Sequence, residues 1–227
     1  MKGRTDPERD DVHAEVKPAR SERESGRGVR GAEAATPLLS ERPRTPAQRT
    51  RLERLREAAR SLASEGGYAA VTMRSVAQRA GVGPATVYRY FSSKDHLIAD
   101  VHAERSLDVL ADLAARPPRH QRAADRVAAV FHRMLAATAE DPKFAAAGVA
   151  AINSADPTAS SPEFWKQNVM ARYLHVALGD EAVGDRAALG ELLGHVFFSL
   201  MCGLSTGRMS LAQAKASMDR AIALALE

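Results

Sequence analysis

The sequence predicts an all-α fold. Apolar residues recur at spacings of three and four along most of the chain after residue 46, and no stretch alternates with the period of two that a half-buried strand requires. Alanine, leucine and arginine, all good helix formers, dominate the same region. With 227 residues and 45% hydrophobic side chains, there is material for one large domain or two small ones. Residues 1–46 break the pattern. They mix both charge signs with Gly, Pro, Ser and Thr and show no periodicity. Such a segment buries too little apolar surface to offset the entropy of ordering, so it is expected to be a disordered arm, its end marked by Pro43 and Pro46.

The first helix is expected from Ala47 to about Glu65, with Leu52, Leu55, Ala59, Leu62 and Ala63 as its apolar stripe and Gly66-Gly67 as its stop. Thr72 stands where an N-cap belongs, ahead of a short helix ending at Gly81, where positive φ lets the chain turn sharply. Pro84 then occupies the first turn of another short helix, a position where its missing N–H costs nothing. Val76, Ala77, Ala80, Val82, Val87 and Phe91 are the apolar set that holds these two helices against the first. Ser92, three residues before Asp95, resembles a capping box opening a long helix over 95–115. Further helices are expected over 120–140, 143–153, 162–179, 184–205 and 210–226. The stripe over Leu189, Leu192, Leu193, Val196, Phe197, Leu200, Met201 and Leu204 is the clearest in the chain.

The helix opening at Pro84 carries Thr86, Tyr88, Arg89 and Tyr90, with little aliphatic bulk beyond Val87. A core helix would not spend its surface that way; a helix laid in the major groove of DNA would. Charge agrees. Residues 1–46 carry a net +1, residues 47–95 a net +5 and residues 96–227 a net −2, within a total of +4. Positive charge thus gathers on the segment that already reads as a DNA binder, although solvated helix faces would look the same by charge alone.

Tyr-Arg-Tyr-Phe followed by Ser-Ser-Lys-Asp, with Ala-Gly-Val before it and a Thr two residues ahead of the first Tyr, resembles the helix-turn-helix of TetR-type repressors. The likeness covers about residues 47–97 in order, spacing and capping. Within that family, GGYAAVTMRSVAQRAGV and TVYRYFSSKDHL are similar to the KstR-like regulators of steroid and lipid catabolism. The resemblance implies a three-helix DNA-binding domain over 47–95 and a larger helical ligand-binding and dimerisation domain over 96–227. It also implies a palindromic double-stranded operator, a homodimer built from the last two helices of each chain, and release by a small molecule. Carried onto this sequence, it makes Thr86 and Arg89 the candidates for base contacts, since arginine can bond guanine O6 and N7 together. Gly83, Pro84 and Ala85 form the small start of the recognition helix, where backbone can approach DNA closely. Tyr88, Tyr90 and Lys94 become phosphate clamps, with Thr72 and Arg74 gripping the backbone from the preceding helix.

Phe131, Met134, Leu135, Phe144, Trp165, Met170, Tyr173, Phe197 and Met201 can line a large apolar cavity, and the expected effector is a hydrophobic molecule such as a steroid or a fatty acyl thioester. The same side chains at helical spacing are more often plain core packing than a ligand box. Gly190, Gly194, Ser199 and Gly203 leave one face of the 184–205 helix small; that face is expected at the dimer surface, although it also suits packing within one subunit.

Other function classes find little support. Cys202 is the one cysteine and sits in an apolar stretch, which excludes an intramolecular disulfide and suits a reducing cytoplasm. No run of about 18 apolar residues is evident, so no membrane span is expected, and the N-terminus is too charged for a signal peptide. His175 has no potential ligand three or four residues away, and His195 has only Glu191; neither makes a metal site. With no G-x-S-x-G, no HExxH and no phosphate-binding glycine loop, neither enzyme nor cofactor is expected. A DNA-binding protein without an effector is the competing reading.

Overall fold

The computed structural model describes residues 45–159 and 169–226. Among them every regular element is helical: α1 (Pro46–Ala70), α2 (Met73–Ala80), α3 (Pro84–Tyr88), α4 (Lys94–Ala115), α5 (Ala123–Glu140), α6 (Pro142–Ile152), α7 (Met170–Leu178), α8 (Arg186–Ser205) and α9 (Leu211–Leu226). The expected arm over 1–46 lies outside the described residues except at its end. There Thr45 caps α1, sharing a reciprocal capping box with Gln48, and Pro46 is the first helical residue rather than part of the arm. The glycine pair breaks the first helical run where the sequence places its stop. The chain kinks at Gly67, which takes φ 67° and ψ −162°, and then resumes helical turns to Ala70.

Two buried clusters organise the chain, and α4 spans both. The first gathers Leu52, Leu55 and Leu62 of α1, Val76 and Ala77 of α2, Val87 of α3, and Leu97, Ile98 and Val101 of α4. It also takes in Phe144, Ala147 and Ala151 of α6, which pack onto α1 from far along the sequence. The second begins at Val109 and Leu110 of α4 and gathers Val130, Phe131 and Leu135 of α5, Tyr173 and Leu174 of α7, Leu193 and Leu200 of α8, and Met218 and Ile222 of α9. At roughly 25 cal/mol per Å² of apolar surface removed from water, such side chains each contribute on the order of 1.5–3 kcal/mol.

Contrary to the sequence expectation, α8 is long and apolar enough to cross a membrane by length and composition, with mean hydropathy 1.6 over its most apolar window. Leu189, Leu193, Leu200 and Leu204 nonetheless belong to the second core, where α8 packs against α5, α7 and α9. The small face of α8 does not wait for another chain. A Cβ on Gly190 would meet Leu174 at 3.2 Å, one on Gly194 would meet Met170 at 3.6 Å, and one on Gly203 would meet Met209 at 3.3 Å. Close approach of α7 and of the turn before α9 is what Gly190 and Gly203 permit, so these two serve packing within the subunit, whereas Ser199 is exposed.

Candidate nucleic-acid interface and internal cavity

The α2–α3 unit is built by local chemistry. Thr72 Oγ1 accepts from the Ser75 amide at 3.0 Å while Ser75 Oγ accepts from the Thr72 amide at 2.9 Å, satisfying amides that the first turn of α2 leaves without helical partners. Gly81 takes the left-handed conformation, φ 66° and ψ 41°, and the next amide, of Val82, folds back to the Ala77 carbonyl at 3.0 Å. Arg54 of α1 donates to the Ala80 carbonyl at 2.8 Å, holding the end of α2. Arg79 grips Glu65 of α1 with two bonds of 2.5 and 2.8 Å, and this hydrogen bonding, joined by that of Ser61, pulls the Glu65 carboxyl down to about 2.

Helix α3 buries one residue, Val87. Gly83, Pro84, Ala85, Tyr88 and Arg89 are exposed and Thr86 half-buried, so one short helix offers a polar, aromatic and cationic surface to solvent. Tyr88 is 55% exposed, unusual for so large a ring. Thr72 and Arg74 are exposed at the start of α2. Tyr90 departs from the expectation. Its ring is wholly buried among residues of α1 to α4, and its hydroxyl lies 3.4 Å from the Gln48 carbonyl. The backbone turns at the end of α3, so Tyr90 and Phe91 point inward together while Tyr88 points out. Tyr90 is therefore a core side chain rather than a phosphate clamp.

Lys94 opens α4. Its Nζ lies 3.5 Å from the centroid of the Tyr68 ring, a cation–π contact. Tyr68 in turn donates its hydroxyl to Asp95 at 2.5 Å, which pushes the phenol up to about 12. The helix is capped by Ser93, whose Oγ accepts from the His96 amide at 3.0 Å. The cap thus falls one residue later than the Ser92 expected from sequence, on Ser93, whose backbone is extended at φ −150° and ψ 172°.

A cavity of about 370 Å³ lies among α4, α5, α6, α7 and α8. Of the candidate lining residues, Met134, Phe144, Met170, Tyr173, Phe197 and Met201 stand on its wall. Phe131 and Leu135 do not; both are wholly buried in the core behind it, with the Phe131 ring centroid 6.2 Å from that of Phe197. Trp165 lies outside the described residues.

The polar part of the wall was not legible in the sequence. His102, Arg105, Ser106, Thr138, Asn153, Glu191 and His195 all line the cavity. Most of their hydrogen bonds run away from the open space. Ser106 donates to the His102 carbonyl at 3.1 Å, Thr138 to the Met134 carbonyl at 3.1 Å and Tyr173 to the Ser106 carbonyl at 2.6 Å. His102 Nε2 meets the Phe144 carbonyl at 2.8 Å, with the two rings stacked at 4.2 Å. Burial pushes His102 down, against the raising effects of that carbonyl and of Asp141, and so favours the neutral imidazole. Burial likewise pushes Tyr173 up and keeps its proton on. The space is left mostly to hydrocarbon, with Arg105 holding a charged group against Glu140 at 2.8 Å. Among the described residues no cluster of three or more His, Cys, Asp or Glu side chains is placed to hold a metal.

Residues 55–101 match the family described as bacterial regulatory proteins, tetR family, and residues 121–225 match the tetracyclin repressor-like C-terminal domain. The HTH-type transcriptional repressor KstR of Rhodococcus jostii (strain RHA1) is 31% identical over 187 residues, which cover 82% of this chain and 87% of that protein. The crystal structure of a TetR transcriptional regulator from Rhodococcus sp. RHA1 superimposes with a TM-score of 0.71 at 28% identity, covering 79% of this chain and 97% of that one. A more distant likeness, of fold alone, is to FadR from Bacillus subtilis in complex with stearoyl-CoA, with a TM-score of 0.55 and 15% identity over 77% of this chain and 97% of that one.

Proposed function

The chain belongs to the tetR family of bacterial regulatory proteins, and we propose that it is a repressor that binds a palindromic operator as a dimer and lets go when a small apolar or acyl-thioester molecule occupies the cavity. It is a transcriptional regulator and not an enzyme, as its relatives are DNA-binding regulators. The KstR relatives and the fold shared with the stearoyl-CoA-bound FadR favour an effector from lipid or steroid metabolism. A regulator acts where its DNA is, which favours the cytoplasm.

The observation that carries the reading is the double membership of Phe144. Its ring stands on the cavity wall and also belongs to the buried cluster that holds α1, α2 and α3 together. A molecule entering the cavity therefore presses on a side chain of the DNA reader's own core. In that reader, Thr86 and Arg89 read bases and Tyr88, Lys94, Thr72 and Arg74 hold phosphates. Gly83, Pro84 and Ala85 bring the backbone close to the groove.

Dimerisation through α8 and α9 is supported by what those helices leave uncovered. Only 33% of the apolar window of α8 is buried, with Leu192 52% exposed, and Leu224 of α9 is 89% exposed. An isologous pairing of α8 and α9 with their counterparts covers both leucines.

Selection of bound duplexes from a random pool by the purified chain tests the reading, followed by elution with stearoyl-CoA and with cholesterol. An enriched palindrome released by either compound is the expected result. An enriched palindrome that neither compound releases removes the lipid effector and favours DNA binding without one. Salt-sensitive binding with no enriched sequence overturns the operator.

A further inference from the structure

Helix α6 is fastened to the DNA reader at both ends, each time by an aspartate that accepts a hydrogen bond from a serine. At its start, Asp141 Oδ1 caps the helix by accepting from the Phe144 amide at 3.0 Å, while Oδ2 accepts from Ser64 Oγ of α1. Beyond its end, in the turn over residues 153–159, Asp156 Oδ2 accepts from Ser93 Oγ. Asp156 Oδ1 takes the Thr158 amide at 2.8 Å and the Thr158 hydroxyl at 2.6 Å. Thr158 Oγ1 lies 3.1 Å from Ser92 Oγ, so the turn touches both serines. The turn is itself fixed: Ala159 is buried and its amide donates to the Asp156 carbonyl at 3.1 Å.

The two ties differ in what they hold. The first reinforces a contact that Phe144, Ala147 and Ala151 already secure by burial. The second falls on the corner Ser92-Ser93-Lys94, between the recognition helix and the first turn of α4. Ser93 is the cap of α4, so one hydroxyl both receives the His96 amide and donates to Asp156. Ser92 closes the corner from the other side, its hydroxyl 3.2 Å from His96 Nδ1. Burial raises the Asp156 carboxyl, but hydrogen bonds from Ser93 and Thr158 outweigh it and the net shift is downward, so the tie carries a charged acceptor.

We infer that Asp156 is a positioning residue for DNA binding: through Ser93 directly, and through Thr158 and Ser92, it sets the corner from which Lys94 and the start of α4 meet a phosphate. The inference rests on the assignment of α2 and α3 as the reader. Asp156 stands three residues past Asn153, which lines the cavity together with Ile152. A molecule pressing on those two residues moves the corner without touching it.

The test compares Asp156→Ala, Asp156→Asn and Thr158→Val with the unaltered chain, by amide hydrogen exchange over residues 92–97 in the free protein and by affinity for the selected duplex. Asp156→Ala is expected to speed exchange over 92–97 and to weaken duplex binding tenfold or more, with the melting temperature little changed. Asp156→Asn keeps one of the two acceptor oxygens and no charge and is expected to recover part of the affinity, a rescue that mere loss of stability would not produce. Unaltered exchange and affinity in Asp156→Ala overturn the inference. If Asp156→Ala does not fold, Thr158→Val carries the same comparison, with faster exchange at Ser92 and weaker binding expected, and no change overturning it. If the unaltered chain selects no duplex, the operator reading fails and the tie is judged by exchange alone, where acceleration supports it and constancy overturns it.

Discussion

Gly148 and His102 share one space: a Cβ built on Gly148 would lie 2.0 Å from His102 Nε2. The imidazole of α4 fills the gap that this glycine leaves in α6, stacks on Phe144 and bonds its carbonyl. The two helices that join cavity to reader therefore meet at a contact with no room for a methyl group.

Gly148→Ala is accordingly expected to destabilise the protein. Overpacking a filled interior costs about 1–3 kcal/mol, more than the gain of roughly 1 kcal/mol that alanine brings to a helix interior. Urea denaturation should show a lower midpoint, and a raised midpoint would mean that His102 is free to leave.

Acid should weaken the fold through His102. Its folded-state pKa lies below the ordinary 6.5, so between that depressed value and 6.5 the unfolded chain binds the proton and the folded chain does not. Stability is present above that interval and falls as pH drops through it, by at most about 1.4 kcal/mol per pH unit from this group. His102→Gln should flatten the dependence between pH 7 and 5; an identical slope in both proteins would place the titration elsewhere.

Tyr88 and Tyr90 should behave oppositely. Tyr88→Ala removes an exposed ring from the reading surface and should weaken binding to the selected duplex with little change in stability. Tyr90→Phe removes only a hydroxyl lying 3.4 Å from its acceptor and should leave both within a factor of about five, since a typical intramolecular hydrogen bond is worth about 1 kcal/mol or less at such a length. A large loss of affinity in Tyr90→Phe, seen in filter or fluorescence titrations, would restore it to the DNA surface.

Arg89→Ala should reduce binding to the selected duplex more than binding to unrelated DNA. Lys94→Ala should reduce both and flatten the salt dependence by about one unit of slope. Equal losses for Arg89→Ala on the two kinds of DNA would remove it as a base reader.

Leu192→Glu places a charge on the uncovered face of α8, where Leu192 is 52% exposed. The altered chain should sediment as a monomer and bind the palindrome weakly. An unchanged dimer would move the interface off this face.

Much of the reader was legible because its signals are local. A threonine cap, a glycine that must take positive φ and a proline in the first helical turn each act within a few residues, and Thr72, Gly81 and Pro84 all stand as their chemistry dictates. What escaped depends on partners far along the chain. Tyr90 turns inward onto an apolar bed that α1 supplies, its hydroxyl near the Gln48 carbonyl; Ser93 rather than Ser92 caps α4, and its hydroxyl is also held by Asp156 far along the chain. The glycines of α8 read as a free face until Met170, Leu174 and Met209 are placed against them. Periodicity separates inward from outward residues, but it does not tell a cavity wall from the core behind it, so Phe131 and Phe197 looked alike. The polar lining at His102, Arg105 and Asn153 has no local signature.

The presence of Phe144, Ala147 and Ala151 in the first buried cluster bears on modularity. Cut after α4, the N-terminal fragment would expose the face of α1 that α6 covers, and would be prone to aggregate or misfold. Exchanging readers between relatives by splicing at that point would likewise mismatch three buried side chains. The portable unit is discontinuous: α1 to α4 together with α6, so that any graft meant to redirect this protein to new DNA must carry a strip of the cavity wall along.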